Sequence, residues 1–130
     1  MAVTEIEPRD FSISETAALT GVSVHTLRYY ERAGLMRGAV PRAASTHRRY
    51  REDDIGWVQF ITRLRSTGMS IRQIHDYAEM ARKGEGNEAE RLELLERHRD
   101  RVLEQMREIE RHLAAIDFKI ELYRDRLAPR

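Results

Sequence analysis

Between Ser23 and Arg51 the chain carries seven arginines (Arg28, Arg32, Arg37, Arg42, Arg48, Arg49 and Arg51) against one acidic residue, Glu31. A guanidinium offers a fork of N–H donors that matches phosphate oxygens, and a phenol such as Tyr29 can donate as well. Residues 84–130 hold ten Lys/Arg against twelve Asp/Glu, so the net charge of +1 conceals a basic block beside a mildly acidic remainder. That asymmetry is expected of a nucleic-acid binder, although on charge alone a solvated face is an equal reading. Other chemistry is poorly supplied. There are no cysteines, which removes disulfides, thiolate metal sites and cysteine nucleophiles. His75 and Glu79 are spaced as a two-ligand helical site requires, yet no further ligand follows at matching spacing, so no metal and no cofactor is expected. No nucleophile–base pair and no phosphate-cradling glycine loop is present, and the chain is not expected to be an enzyme.

The elements that must position the basic block can be read from caps and periodicity. Ser14 followed by Glu15 reads as a helix start, Ala17, Ala18 and Leu19 continue it, and Gly21 ends it. Ser23 caps a second helix over Val24–Ala33 that Gly34 closes. Two short helices joined by about three residues including Gly make a helix-turn-helix pattern, one that many helical hairpins share. The start of a recognition helix reaches base edges in the major groove, which nominates Val24, His25 and Thr26, with Arg28 and Tyr29 a turn later. Of the paired tyrosines, Tyr30 is expected in the core. Met36–Tyr50, with Gly38 and Pro41, reads as a β-hairpin or wing whose Arg42, Thr46, His47, Arg48 and Arg49 combine charge with short donors. Arg49 has a second reading as the partner of Asp53 or Asp54.

Glu52, Asp53 and Asp54 crowd the start of a third helix whose buried face is Ile55, Val58, Ile61 and Leu64, with Trp57 and Phe60 alongside. Gly68 stops it. Ser70 and Gln73 form a capping-box pattern opening a fourth helix over Ile71–Arg82, and a polar linker follows at 83–86. From Asn87, with Glu90 as a further capping pair, about 40 residues run without an internal Gly or Pro, a helix of roughly 60 Å. Steps of three and four pick out Leu92, Leu95, Arg99, Val102, Met106, Ile109, Leu113, Ile116, Ile120, Tyr123 and Leu127, and ten of these eleven are apolar. That is a coiled-coil seam, and a second copy is the economical partner for it. A helix folded back on its own head is the alternative, and periodicity leaves the orientation of paired helices open. The expected fold is mainly α: a tail at 1–10, a winged helix-turn-helix head at 11–83, and a linker with a dimerising helix at 84–130.

The stretch SISETAALTGVSVHTLRYYERAGLM (12–36) resembles the N-terminal motif of the MerR family of regulators, and HRRYREDDIGWVQFITRLRSTGMSIRQI (47–74) is similar to the same family's wing end, third helix and fourth helix. The resemblance implies a four-helix winged head, an antiparallel two-helix dimerisation coil and two heads on one operator. It also implies phosphate contacts at Arg28 and Tyr29, and a second DNA-facing region at the fourth-helix start around Met69, Ser70 and Ile71. Ser14 is placed on the same DNA face. The C-terminal IDFKIELY (116–123) resembles the small NmlR/AdhR-like branch, which answers to aldehydes or nitrosative stress. Members of that branch often carry a cysteine in the third helix where this chain has Arg63, so a thiol sensor cannot operate here.

The expected function is therefore a dimeric transcription regulator that binds a palindromic promoter and distorts it in response to an unknown, small organic signal. Its expected partners are double-stranded promoter DNA, a second copy and RNA polymerase. The alternative is an architectural or accessory DNA binder without an effector. No apolar run approaches the roughly 20 residues of a membrane span. The opening MAVTEIEPRD lacks the pattern of a secretory signal, so a cytoplasmic location without membrane contact is expected. Tyr77, Met80, Phe118 and Tyr123 could line an effector pocket, but they serve equally well as core, and core is the preferred reading. Lys83 and Lys119 are the only lysines an aldehyde could condense with.

Overall fold

The computed structural model describes residues 10–38 and 49–130. Two short strands, β1 (Phe11–Ser12) and β2 (Arg49–Tyr50), pair antiparallel with Phe11 opposite Tyr50 and Ser12 opposite Arg49. The helices are α1 (Ile13–Thr20), α2 (Val24–Arg32), α3 (Glu52–Ser66), α4 (Ile71–Lys83) and α5 (Glu88–Leu127). All five expected helices are present, with α2 and α4 ending within one residue of expectation. The wing residues Arg42, Thr46, His47 and Arg48, like most of the expected tail, lie outside the described residues.

The cap of the first helix lies two residues earlier than expected. Ser12, not Ser14, caps α1: its hydroxyl accepts from the Glu15 N–H (3.1 Å) while the Glu15 carboxylate accepts from the Ser12 N–H (3.1 Å). This reciprocal exchange needs the serine three residues before the glutamate, a spacing Ser14 cannot offer. At the other end Gly21 adopts φ +72° and returns its N–H to the Ala17 carbonyl (2.9 Å), a left-handed cap that side chains bearing a Cβ resist.

The chain divides into two compact units, one up to Arg91 and one over Leu92–Arg130. In the first, α1 packs on α2 and α3, and α3 packs on α4. Leu27, Leu35, Tyr50, Val58 and Ala78 are wholly inaccessible, and Tyr30, Ile61 and Ile74 nearly so. Fully burying side chains of this size contributes about 1.5–3 kcal/mol each. Thr16 is the buried polar exception, and its hydroxyl donates to the Ser12 carbonyl (2.9 Å). On α3, Val58, Ile61 and Leu64 are buried, while Trp57 and Phe60 are half-buried and gather on Tyr77 of α4.

The first turn of α5 is fastened to α4. Asn87 Nδ2 donates to the Met80 carbonyl (2.8 Å), and Arg91 Nη2 donates to the Gly84 carbonyl (3.1 Å). Asn87 Oδ1 accepts from Arg91 Nε (2.8 Å), so this amide bridges the junction instead of forming the expected pair with Glu90.

The second unit is the rest of one 40-residue helix. Leu92, Met106, Ile109, Leu113, Ile116, Ile120, Tyr123 and Leu127 are exposed along it, whereas Leu95 and Val102 are half-covered. Pairs such as Arg97–Glu93 (2.6 Å) and Arg124–Glu121 (2.7 Å) lie along the helix surface, where each contributes only a few tenths of a kcal/mol. His98 is buried, and burial, reinforced by the charge of Arg101, holds its imidazole below the ordinary value of 6.5. The folded chain therefore prefers neutral His98, and its contribution is complete above about pH 6.5 and shrinks as pH falls below that. Thermal midpoints of the wild type should drop more steeply than those of His98→Leu between about pH 7 and the lowered folded value; parallel profiles would remove His98 from the pH response.

Candidate nucleic-acid interface

The second helix is set by its cap and its buried side. The Ser23 hydroxyl accepts from the Thr26 N–H (3.0 Å) and donates to Thr26 Oγ1 (2.9 Å), fixing where the helix begins. Leu27 and Tyr30 point into the core, and the Tyr30 hydroxyl lies 3.1 Å from Thr62 Oγ1. Because the Thr62 hydroxyl already donates to the Val58 carbonyl (2.7 Å), Tyr30 is the donor to it. Tyr30 is thus the core member of the tyrosine pair, as expected.

Helical periodicity then turns His25, Arg28, Tyr29 and Arg32 to the opposite side. His25, Arg28 and Arg32 are exposed and Tyr29 is half-buried, while Val24 and Thr26 flank the face half-covered. Thr26 is partly committed to the cap. Arg32 was not among the residues nominated from sequence, although it follows Arg28 by four positions and shares its side of the helix. A second unnominated residue is Arg65, from the last turn of α3, whose guanidinium lies 5.6 Å from the centre of the Tyr29 ring. That cation–π contact holds the ring from one side and adds a charge beside it.

Ser14 is exposed in the first turn of α1. Ser70 caps α4 by accepting from the Gln73 N–H (3.2 Å), and the basic Arg72 is exposed in the first turn that follows. Arg49 belongs to β2 opposite Ser12. The carboxylates suggested for it are engaged elsewhere: Asp53 with Arg37 (3.8 Å) and Asp54 with the Arg51 N–H (2.9 Å). Glu31, the single acid in the basic block, accepts from the Tyr50 hydroxyl, which ties β2 to α2.

Two other sequence readings change on inspection. Asp76 joins His75 and Glu79, and one ligand atom from each lies within 4.8 Å of the others, so a third ligand atom, a carboxylate oxygen, accompanies that pair on α4. Of the four residues considered for an effector pocket, Tyr77 is buried and stacked on Trp57 (5.6 Å, 7° between rings), which makes it core. Phe118 and Tyr123 are exposed on α5.

A family model described as the MerR HTH family regulatory protein matches residues 11–81, and a second, MerR DNA-binding, matches residues 55–121. The chain belongs to the MerR family. Within it, the chain is 32% identical over 113 residues to an HTH-type transcriptional regulator of Haemophilus influenzae, covering 87% of this chain and 83% of that one. It is 37% identical to the HTH-type transcriptional regulator AdhR of Bacillus subtilis over 72% of this chain and 66% of AdhR. The fold is similar to the crystal structure of HiNmlR, a MerR family regulator lacking the sensor domain, bound to promoter DNA. There the TM-score is 0.82 at 31% identity, covering 90% of this chain and 92% of that one. This MerR-family chain is accordingly a DNA-binding transcription regulator with a helix-turn-helix head and a long C-terminal helix. No helix among the described residues is long and apolar enough to cross a membrane.

Proposed function

We propose that this MerR-family regulator works as a homodimer that binds a palindromic promoter through α2 and the wing and distorts the duplex to change transcription by RNA polymerase in the cytoplasm. The observation that carries the reading is the α2 face: His25, Arg28, Tyr29 and Arg32 stand outward from a helix fixed at its cap by Ser23 and at its base by Leu27 and Tyr30. Rigid placement of donors on a helix is what major-groove docking requires. The apolar stripe from Leu92 to Leu127 supports pairing with a second copy, and two paired heads read two half-sites. Bending or untwisting a site costs on the order of 1–10 kcal/mol, which several phosphate contacts from each head offset. With no cysteine in the chain, the signal is not read by a thiol. A small organic signal would act by binding one of two dimer geometries more tightly than the other.

Arg28→Ala tests the interface directly. Titrated against the intergenic duplex beside its own gene over a series of salt concentrations, the variant is expected to bind all sequences more weakly, with the salt slope reduced by about two, one for each head. An unchanged affinity and slope would remove Arg28 from the phosphate contacts and with it the proposed orientation of α2.

A further inference from the structure

The loop that leaves the recognition helix is held by residues far away in the chain. Its three successive carbonyls are all taken by side chains of α3 and α4. Arg82 Nη1 donates to Gly34 O (3.1 Å) and to Met36 O (2.7 Å), and Trp57 Nε1 donates to Leu35 O between them (2.8 Å). Gly34 itself sits at φ +71°, and a Cβ there would stand 3.1 Å from the His75 imidazole of α4. The Leu35 N–H closes back onto the Tyr30 carbonyl (2.9 Å), so the loop is fixed from both sides. Where the chain returns, the Tyr50 hydroxyl donates to Glu31 and β2 pairs with β1. Both flanks of residues 39–48 are therefore anchored to the helices that carry α2.

We propose that Arg82 is a positioning residue for DNA recognition, fixing through its paired hydrogen bonds to Gly34 and Met36 the relation between the recognition helix and α4. This rests on the DNA-binding reading above. Reading a site with two elements at once requires one relation between them, and an error of about an ångström in such a relation is costly to a preorganised site. Arg82 suits the task because one terminal nitrogen carries two N–H groups, one for each carbonyl, and its planar guanidinium holds them in fixed directions. With that nitrogen spent on the backbone, Arg82 is tied to the loop. Trp57 shares the work at Leu35 while its ring stays stacked on Tyr77.

The test uses the full chain with Arg82→Ala and Trp57→Phe, the second keeping an aromatic ring against Tyr77 while deleting the N–H. Binding to the intergenic duplex and to a random-sequence duplex of equal length is measured across a salt series, beside thermal denaturation. Arg82→Ala is expected to lower affinity for the specific duplex roughly tenfold, with non-specific affinity and salt slope unchanged. Trp57→Phe is expected to move the specific-to-non-specific ratio in the same direction by less. An unchanged ratio in both variants overturns the proposal. So does a salt slope that falls by about two in Arg82→Ala, since that would make Arg82 a phosphate contact in each head. If the wild type itself preferred no duplex, the DNA-binding reading would fail first, and this inference with it.

Discussion

Replacing Ile109 and Leu113 together with glutamate is expected to make the protein monomeric and to weaken promoter binding by about a hundredfold or more. Both residues lie in the middle of the apolar stripe of α5 and are 65% and 52% exposed in the single chain. Placing four carboxylates into a paired seam sets like charges in an apolar contact, which association cannot tolerate. The binding loss follows because two linked heads gain affinity from effective concentration, typically by factors of about 10²–10⁴, and a lone head does not. Sedimentation velocity reads the oligomeric state and anisotropy reads the affinity. A variant that stays dimeric would show that copies meet elsewhere and that the stripe from Leu92 to Leu127 serves another surface.

Leu27→Ala carries the second large effect. Leu27 is wholly buried and is one of the two side chains that seat α2 on the head. Truncating a buried leucine costs about 2–5 kcal/mol, a large part of the roughly 5–15 kcal/mol by which such a domain is stable. Urea denaturation should show that loss, with DNA binding falling at temperatures where the variant is partly unfolded. Tyr30→Phe is the milder companion: it removes only the hydroxyl that donates to Thr62, a change of about 1 kcal/mol. A Leu27→Ala protein within about 1 kcal/mol of wild type would mean that α2 is seated by contacts other than those described.

How far such effects could be foreseen depends on the range of the interaction. Caps and stops act within one turn, so Ser23, Ser70, Gly21 and Gly34 reveal α1, α2 and α4 directly. The cap of α1 was misplaced because two serines precede Glu15, and only the spacing from Ser12 allows both hydrogen bonds of the box. The α5 stripe was legible because a helix this long, with a single apolar face, repeats its signal for ten turns. Arg32 is legible too, since four residues after Arg28 means the same face.

The rest depends on tertiary packing. Arg65 reaches Tyr29, and Arg82 reaches Gly34 and Met36, only because α3 and α4 fold back across the end of α2. No periodicity joins an arginine to carbonyls 46 and 48 residues earlier. Asp53, suggested as a partner of Arg49, is instead met by Arg37 from the far side of the loop, whereas Asp54 makes a local bond to the Arg51 N–H three residues before it. Tyr77 stood as either pocket wall or core until its stacking on Trp57 placed it in the core.

The most direct measurement is selection of bound duplexes from a random-sequence pool by the purified wild-type chain, followed by sequencing and the same selection with Arg28→Ala/Arg32→Ala. The wild type should enrich a palindrome whose half-sites are related by a two-fold axis, and the double variant should enrich nothing above the starting pool. A wild-type pool without a motif, or a motif recovered equally well by the double variant, would contradict DNA recognition through the exposed face of α2.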